Sequence, residues 1–289
     1  MFVRKIGACV LLAALFLTGC SGNGGNDGLD AAIQQTRPDK KETIETMLVF
    51  CIDADANSQD TGDYRNGNRA ELLLLLVMDQ EQKTTRVLQL NPDTVVPFTP
   101  PGTQDAIEIP LGAVYSYGSG GSDSGFAQLK AVSKFLGGIT MDHYLMFTMD
   151  AVGIVNDAIG GVSMDTAHSG AEMMDAQAAL EYLRFREDDD VDNARYMQRQ
   201  RDYMMGLLPD LFHKAQDDDF LTKLTLQIGE GMATDLTLSQ MAMMLEQLDV
   251  YDLDETVLTL AGRGEMQDGQ RRFYVEADAV TKMADGLFY

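Results

Sequence analysis

The chain has 289 residues, with 45 Asp or Glu residues against 22 Lys or Arg residues and a formal net charge of −23. Such an acidic surface repels nucleic acid and anionic lipid except where basic residues are gathered in one place, so we expect no nucleic-acid partner. The length allows one large hydrophobic core or two small ones.

The N-terminus has the pattern of a bacterial export signal. Arg4 and Lys5 precede an apolar run over residues 6–17, which is too short to span a bilayer as a helix. The run closes on Leu-Thr-Gly and then Cys20, which is similar to the lipobox of bacterial lipoproteins. We therefore predict a signal peptide at 1–19, acylation of Cys20, and a lipoprotein anchored to the outer, extracytoplasmic face of the cytoplasmic membrane. A secretory signal that happens to end at a cysteine is the alternative.

Residues 20–46 are predicted to be the lipidated N-terminus and a flexible tether, because 21–28 contain only Ser, Gly, Asn and Asp. Ordered sequence is expected from residue 47, and no linker or internal repeat interrupts 47–289, so this stretch is predicted to form one domain. Cys51 lies in an apolar run of that domain, which favours a small buried hydrophobe over a nucleophile.

Apolar runs predict β-strands at the start of this domain, and helical periodicity begins near residue 124. The first three strands are near-continuous in apolar residues, which is typical of strands covered on both faces. We predict strands at 47–52, 71–78, 85–90, 144–149, 256–260 and 272–275. We predict helices from 124, at 151–159, 171–185 and 193–212, after an N-cap at Ser239, and from 277. This alternation indicates a single α/β domain with a central mixed β-sheet between helical layers.

Arginines are concentrated in two short segments on either side of an acidic loop at 187–190. Arg184 and Arg186 end one predicted helix, and Arg195 and Arg199 begin the next, where their spacing of four puts them on one helix face. A helix-turn-helix arrangement would bring all four together, and guanidinium groups bind phosphate oxygens bidentately. The pattern therefore indicates a clamp for a phosphate or pyrophosphate. The alternative is a solvated network of ion pairs with the loop aspartates.

Five segments resemble, in the same order, motifs of the LytR-CpsA-Psr family, and the similarity covers most of residues 47–289. They lie at 137–144, 157–162, 182–186, 192–200 and 234–237. Residues 182–186 match the family's Arg-x-Arg pattern closely, whereas 192–200 has one extra residue between its two arginines. Each segment is a weak signal by itself, and the order of all five makes the resemblance specific.

The resemblance implies a phosphotransferase of cell wall biogenesis. Such a protein takes a glycopolymer from a polyprenyl pyrophosphate carrier and joins it to peptidoglycan through a phosphodiester, or hydrolyses the pyrophosphate. Its partners would be the polyprenyl pyrophosphate-linked glycopolymer, the peptidoglycan acceptor and, through Cys20, the membrane. The resemblance also implies a divalent cation, usually Mg²⁺, which screens the pyrophosphate while arginines neutralise developing charge. An apolar slot between sheet and helices would hold the polyprenyl tail.

Site residues follow from the resemblance by position. Asp53 and Glu71 stand where the family has metal-binding acids, although Glu71 replaces an aspartate and its longer side chain moves the ligand. The other candidates are assigned to catalysis: Arg69, Asp93, Arg184, Arg186, Arg195, Arg199 and Gln200.

Pro92 is the most serious departure from the family, which has an arginine that contacts the pyrophosphate at this point of an Ile-Pro-Arg-Asp-Thr motif. Proline donates no hydrogen bond, so a weakened site is expected unless another arginine takes over. Arg65, from the long polar loop before Arg69, is the candidate substitute for this phosphate contact; the alternative is that the loop is only an insertion. Two other functions stay open. One is a degenerate member that binds polyprenyl phosphate or glycan without turnover, and the other is an unrelated lipoprotein such as a transporter's solute-binding subunit.

Overall fold

The computed structural model describes residues 39–54, 66–166, 170–254 and 256–289. The predicted signal peptide, Cys20, most of the predicted tether and Arg65 lie outside these ranges, so what the sequence predicts for them stays a prediction. Within the described ranges, no helix is long and apolar enough to cross a membrane.

Strands and helices alternate along the described chain. The strands are β1 (Ile44–Ala54), β2 (Asn68–Asp79), β3 (Thr84–Leu90), β4 (Val95–Phe98), β5 (Ile107–Pro110), β6 (His143–Thr148), β7 (Val162–Thr166), β8 (Gly170–Met174), β9 (Met232–Thr234), β10 (Asp252–Leu253), β11 (Leu258–Thr259), β12 (Gly262–Gln267) and β13 (Gln270–Val275). The α-helices are α1 (Gly121–Phe135), α2 (Met149–Ile159), α3 (Ala176–Arg184), α4 (Ala194–Lys214), α5 (Asp218–Ile228), α6 (Leu238–Val250) and α7 (Ala277–Phe288).

The central sheet has seven strands in the order β10-β3-β2-β1-β6-β9, and β11 also pairs with β3. β1 pairs antiparallel with β2 and parallel with β6, so the sheet is mixed, as predicted. Because β2 runs antiparallel to both β1 and β3, the end of β1, the start of β2 and the end of β3 lie at the same end of the sheet. The end of β6 lies there too, because β6 is parallel to β1.

Both faces of the sheet are covered, which explains why the strand sequences are unbroken apolar runs. Along β1, Met47 and Val49 face a core that includes α2, α4, α5 and α6. Leu48 and Phe50 face the opposite core, which includes α1 and α7. Cys51 is 1% exposed in the first of these cores, and burial raises the pKa of its thiol to about 12. Cys51 is therefore a small buried hydrophobic residue, as predicted.

The predicted helix at 171–185 is wrong over its first part. Gly170–Met174 instead forms β8, which pairs with β7 in an antiparallel hairpin, and α3 begins only at Ala176. Asp175 sets this boundary, because its side chain accepts a hydrogen bond from the backbone N–H of Ala178 as an N-cap.

Smaller differences occur at other boundaries. The N-cap of α6 is Thr237 rather than Ser239, and a capping box with Gln240 fixes it. β1 begins at Ile44, before the predicted start at residue 47, and the β4–β5 hairpin and α5 were not predicted.

Candidate functional site

One end of the central sheet collects the three acidic candidates from three strands. Asp53 is near the end of β1, Glu71 is near the start of β2, and Asp93 follows the end of β3. The end of β6 leads directly into α2, whose N-cap is Thr148 and whose first turn contains Asp150. The sheet topology therefore brings together residues that are up to about a hundred positions apart in the sequence.

Glu71 occupies a β-bulge. In the β1–β2 register, Cys51 pairs with Leu72 and Ile52 pairs with Ala70, so Glu71 has no partner across the two strands. Bulges bend a strand and re-aim side chains next to functional sites. Gln200 donates from Nε2 to the backbone carbonyl of Glu71 at 3.1 Å, which ties α4 to the sheet at this point.

Arg184, the last residue of α3, joins two of the acids at this end of the sheet. Its Nε and Nη2 donate to the two carboxylate oxygens of Asp53 at 2.7 and 3.1 Å. Nη2 also donates to Oδ1 of Asp150 at 2.9 Å. The Arg184 side chain is 39% exposed, so a ligand from solvent can reach its guanidinium group.

Arg69, Arg186, Glu71 and Asp93 form a more deeply buried network beside this group. Arg69 lies 2.5 Å from Asp93 Oδ1 and 2.9 Å from Glu71 Oε1. Arg186 donates from Nη2 to Glu71 Oε2 at 2.6 Å and from Nη1 to Asp93 Oδ2 at 3.5 Å. Burial raises the pKa of Asp93, but the charges of Arg69 and Arg186 outweigh this and leave that pKa below its usual value. Asp93 is therefore an ionised anchor for two guanidinium groups.

Two asparagines that sequence reasoning missed hold Asp93 in place. Asn193 donates from Nδ2 to Asp93 Oδ2 at 2.7 Å and to Asn91 Oδ1 at 2.8 Å. Asn91 Oδ1 also accepts from the backbone N–H of Asp93 at 3.0 Å. Asn193 is the N-cap of α4 and has a left-handed backbone with φ of 61°, which asparagine tolerates better than most residues. The only sequence signal was an Asn at a helix start.

Tyr196 is a third residue that sequence reasoning missed. It lies on the face of α4 that also carries Gln200, and its hydroxyl is 3.3 Å from Glu71 Oε2. Its ring lies 4.0 Å below the guanidinium carbon of Arg186. The signal was present as the apolar stripe of α4, which includes Tyr196, Tyr203 and Met204, all of them buried.

The four arginines of the predicted clamp divide into two groups. Arg184 and Arg186 join the carboxylates at the end of the sheet, but Arg195 and Arg199 share Glu187 in the neighbouring loop, with Arg199 donating to both of its carboxylate oxygens at 3.1 Å. Arg195 also pairs with Asp189 and is 48% exposed. The Arg199 hydrogen bond lowers the pKa of Glu187. Arg195 is thus paired with the acidic loop, whereas Arg199 is only 15% exposed and also donates to the backbone carbonyl of Phe185, between Arg184 and Arg186.

Pro92, which lies between Asn91 and Asp93 in the sequence, is buried. Its carbonyl accepts a hydrogen bond from the backbone N–H of Gly112 at 2.8 Å. A Cβ at Gly112 would come within 2.2 Å of the carbonyl oxygen of Ala70, so this segment packs against the start of β2 with no room for a side chain. Gly112 belongs to a 3-10 helix at Leu111–Tyr117, which therefore contacts both Pro92 and the start of β2.

The carboxylates can hold a divalent cation only together with other ligands. Among the described residues, no group of three or more His, Cys, Asp or Glu side chains is close enough to bind a metal ion alone. Mg²⁺ is usually held by one or two carboxylates together with substrate phosphates and water. Asp53 and Glu71 are hard oxygen donors that fit this partial role, and both already contact guanidinium groups that could turn to a phosphate.

An apolar groove of about 490 Å³ lies between the β4–β5 hairpin and α1. Val96, Phe98, Val114, Ala131 and Phe135 are among the residues that line it. β4 begins two residues after Asp93, so the chain passes directly from the charged cluster into the wall of the groove.

Comparisons with known proteins identify the family and the fold. A model described as the LytR_cpsA_psr family matches residues 25–288. The chain is 23% identical over 265 residues to a "polyisoprenyl-teichoic acid–peptidoglycan teichoic acid transferase TagU" from Enterococcus faecalis, and this covers 88% of the chain and 81% of that protein. A protein of the same name from Halalkalibacterium halodurans is 24% identical over 196 residues, which cover 63% of the chain and 60% of that protein.

Solved structures share the fold. Bacillus subtilis TagV superimposes with a TM-score of 0.63 at 19% identity and covers 86% of this chain and 96% of TagV. A structure of TagT bound to LI-WTA gives a TM-score of 0.64 at 17% identity and covers 88% of this chain and 93% of TagT. The predicted fold, a single α/β domain with a mixed sheet between helical layers, is confirmed.

Proposed function

The chain belongs to the LytR-CpsA-Psr family, and we propose that it transfers a glycopolymer from a polyprenyl pyrophosphate carrier to peptidoglycan. Two relatives that bear a teichoic acid transferase name support this activity, although they are only distantly similar to the chain. The observation that carries the proposal is the convergence of Arg69, Arg184 and Arg186 on Asp53, Glu71 and Asp93 at one end of the sheet.

The charges of this cluster favour a cation beside the pyrophosphate. Three guanidinium groups face four carboxylates, those of Asp53, Glu71, Asp93 and Asp150, so the cluster carries one net negative charge. A pyrophosphate adds at least two more negative charges, and their repulsion grows as the site excludes water. We infer that a divalent cation, with Asp53 and Glu71 as its protein ligands, accompanies the pyrophosphate. When bound, Mg²⁺ would screen the phosphate oxygens from an incoming hydroxyl group.

The residues of this chain would then act by exchanging partners. Arg184 is the most exposed of the three arginines, so it turns from Asp53 to a phosphate oxygen with little change elsewhere. Arg186 turns from Glu71 to the phosphate while Asp93, held by Asn193, keeps it within reach. Arg69 stays paired with Asp93 because this pair is almost completely buried. The arginines neutralise charge that develops as the acceptor hydroxyl attacks phosphorus and the polyprenyl monophosphate leaves.

The apolar groove suits the polyprenyl tail. Its wall starts at Val96, three residues after Asp93, which is about 10 Å of extended chain. Ala127, Ala131 and Phe135 of α1 form the opposite wall, and Lys130 and Lys134 lie at its edge. The groove therefore offers an isoprenoid an apolar surface that begins three residues after Asp93.

Anchoring belongs to the same proposal. The sequence around Cys20 supports acylation of its thiol, which would place the domain on the extracytoplasmic face of the membrane that holds the lipid carrier. Both the anchor and the location rest on this sequence pattern.

The test is to incubate the full chain with a polyprenyl pyrophosphate-linked glycan, Mg²⁺ and peptidoglycan fragments. The expected products are polyprenyl monophosphate and a glycan joined to peptidoglycan through a phosphodiester. Release of monophosphate without the joined product would indicate pyrophosphate hydrolysis. Binding of the lipid without either product would contradict the transferase proposal and favour a binding protein.

A further inference from the structure

Tyr196 touches both a candidate cation ligand and a candidate phosphate ligand. Its hydroxyl lies 3.3 Å from Glu71 Oε2, and its ring lies 4.0 Å from the guanidinium carbon of Arg186, within the range of a cation–π contact. The residue is 2% exposed, and its backbone N–H donates to Oδ2 of Asp190 at 2.8 Å. Tyr196 is thus fixed from its backbone to its hydroxyl.

The Tyr196 hydroxyl donates its hydrogen bond to Oε2 of Glu71. A phenol donor orients a carboxylate oxygen without bringing a charge of its own to it, unlike the guanidinium groups of Arg69 and Arg186.

The hydrogen bond between Tyr196 and Glu71 becomes more important when Arg186 exchanges partners as proposed above. In the structure, Arg186 holds Glu71 Oε2 at 2.6 Å. When Arg186 turns to a phosphate, that oxygen loses its charged partner, and only Arg69 and Tyr196 still orient the carboxylate. Glutamate has one more rotatable bond than aspartate, so it loses more side-chain entropy when it is fixed for metal binding.

We propose that Tyr196 is a positioning residue that orients Glu71 for the divalent cation through its hydroxyl group and supports Arg186 for the pyrophosphate through its ring. This inference rests on the proposed function and goes beyond it, because it assigns two separable effects to one side chain. Removing the hydroxyl should change the affinity for the cation, and removing the ring should also change the affinity for pyrophosphate.

The experiment measures binding directly, with Mn²⁺ as the cation probe by electron paramagnetic resonance and inorganic pyrophosphate by calorimetry. Tyr196→Phe should raise the Mn²⁺ dissociation constant, measured with pyrophosphate present, by roughly tenfold, as expected for the loss of one hydrogen bond to a charged group. Its pyrophosphate affinity at saturating Mn²⁺ should stay close to that of the wild type. Tyr196→Leu should weaken the binding of both.

Tyr203→Phe is the matched control. Tyr203 lies on the same helix, is equally buried and donates to Oδ1 of Asn156 at 2.9 Å, away from the carboxylates. Both Tyr→Phe variants should lower the melting temperature, but only Tyr196→Phe should shift the Mn²⁺ affinity. Equal Mn²⁺ affinities in the two variants, or a wild-type chain that binds neither probe, would overturn the inference. A wild-type chain that binds both probes but transfers no glycan would contradict the proposed function and leave the role of Tyr196 standing.

Discussion

Arg184 and Arg69 should respond in opposite ways to substitution by alanine, because one is exposed and the other is buried. Arg184 is 39% exposed and pairs with Asp53, which is 27% exposed. Exposed ion pairs contribute roughly 0.2–1 kcal/mol to stability. Loss of a charged partner from a bound complex costs about 2–5 kcal/mol of binding. Arg184→Ala should therefore weaken the binding of polyprenyl pyrophosphate at least about tenfold and leave the melting temperature nearly unchanged.

Arg69→Ala should unfold the protein at a lower temperature instead. Arg69 is 11% exposed and Asp93 is 2% exposed. Removing one partner of a buried pair typically costs about 3–5 kcal/mol, which corresponds to a drop on the order of 10 °C for a domain of this size. In this variant Asp93 would keep only Arg186 of the two guanidinium groups that lower its pKa.

The assay combines differential scanning fluorimetry with calorimetric titration of the lipid in the presence of Mg²⁺. Arg263→Ala is the control, because Arg263 pairs with Glu265 on the exposed β12 strand and is 72% exposed. It should change neither quantity. The reasoning would be refuted if Arg184→Ala bound the lipid as well as the wild type, or if its melting temperature fell as far as that of Arg69→Ala.

Three other outcomes are expected. Pro92→Arg should increase the release of polyprenyl monophosphate about 100-fold if the site lacks a substitute donor; no gain, together with an inactive Arg65→Ala, would instead support replacement by Arg65. Cys20→Ala expressed in bacteria should take up no labelled fatty acid, and an unlabelled wild-type protein would contradict the anchor. Because the pKa of Asp93 is lowered in the folded state, its contribution to stability is present above its unfolded pKa of about 3.9 and is lost as the pH falls through the lower folded pKa. The melting temperature of Asp93→Asn should consequently fall less steeply below about pH 4 than that of the wild type, and parallel curves would contradict this.

The fold could be predicted because the central strands have a strong sequence signal. Their apolar runs are buried on both faces, so the strands at 47–52, 71–78 and 85–90 were found nearly at their true bounds. The β7–β8 hairpin was missed because Ala171, Glu172 and Met173 are good helix formers, and pairing between two short strands overrides that propensity. The capping aspartate before α3 was the available signal.

The spacing of the arginines did not show which face of α4 meets the sheet. Arg195 and Arg199 do share a helix face, but the sheet contacts the next face, which carries Tyr196 and Gln200. Moving one residue along a helix turns the side chain by about 100°. A correct helix and a correct arginine spacing therefore did not identify Tyr196 as a residue that faces the sheet. The bulge at Glu71 could not be predicted from the sequence, because it depends on pairing between strands rather than on local sequence.

Arg69, Arg184 and Arg186 are all paired with carboxylates, and this affects which anions can bind at the site. A free phosphate would have to displace an acid from Arg184 or Arg186 and would gain no relief from the cluster's net negative charge. In the proposed function, a cation that arrives with a pyrophosphate would relieve that charge, because it would take Asp53 and Glu71 while the arginines take the phosphate oxygens. Binding of each is then favoured by the other, which is a reciprocal coupling between two ligands at one site. We therefore expect the proposed carrier to bind only together with the cation, and inorganic phosphate alone to compete poorly.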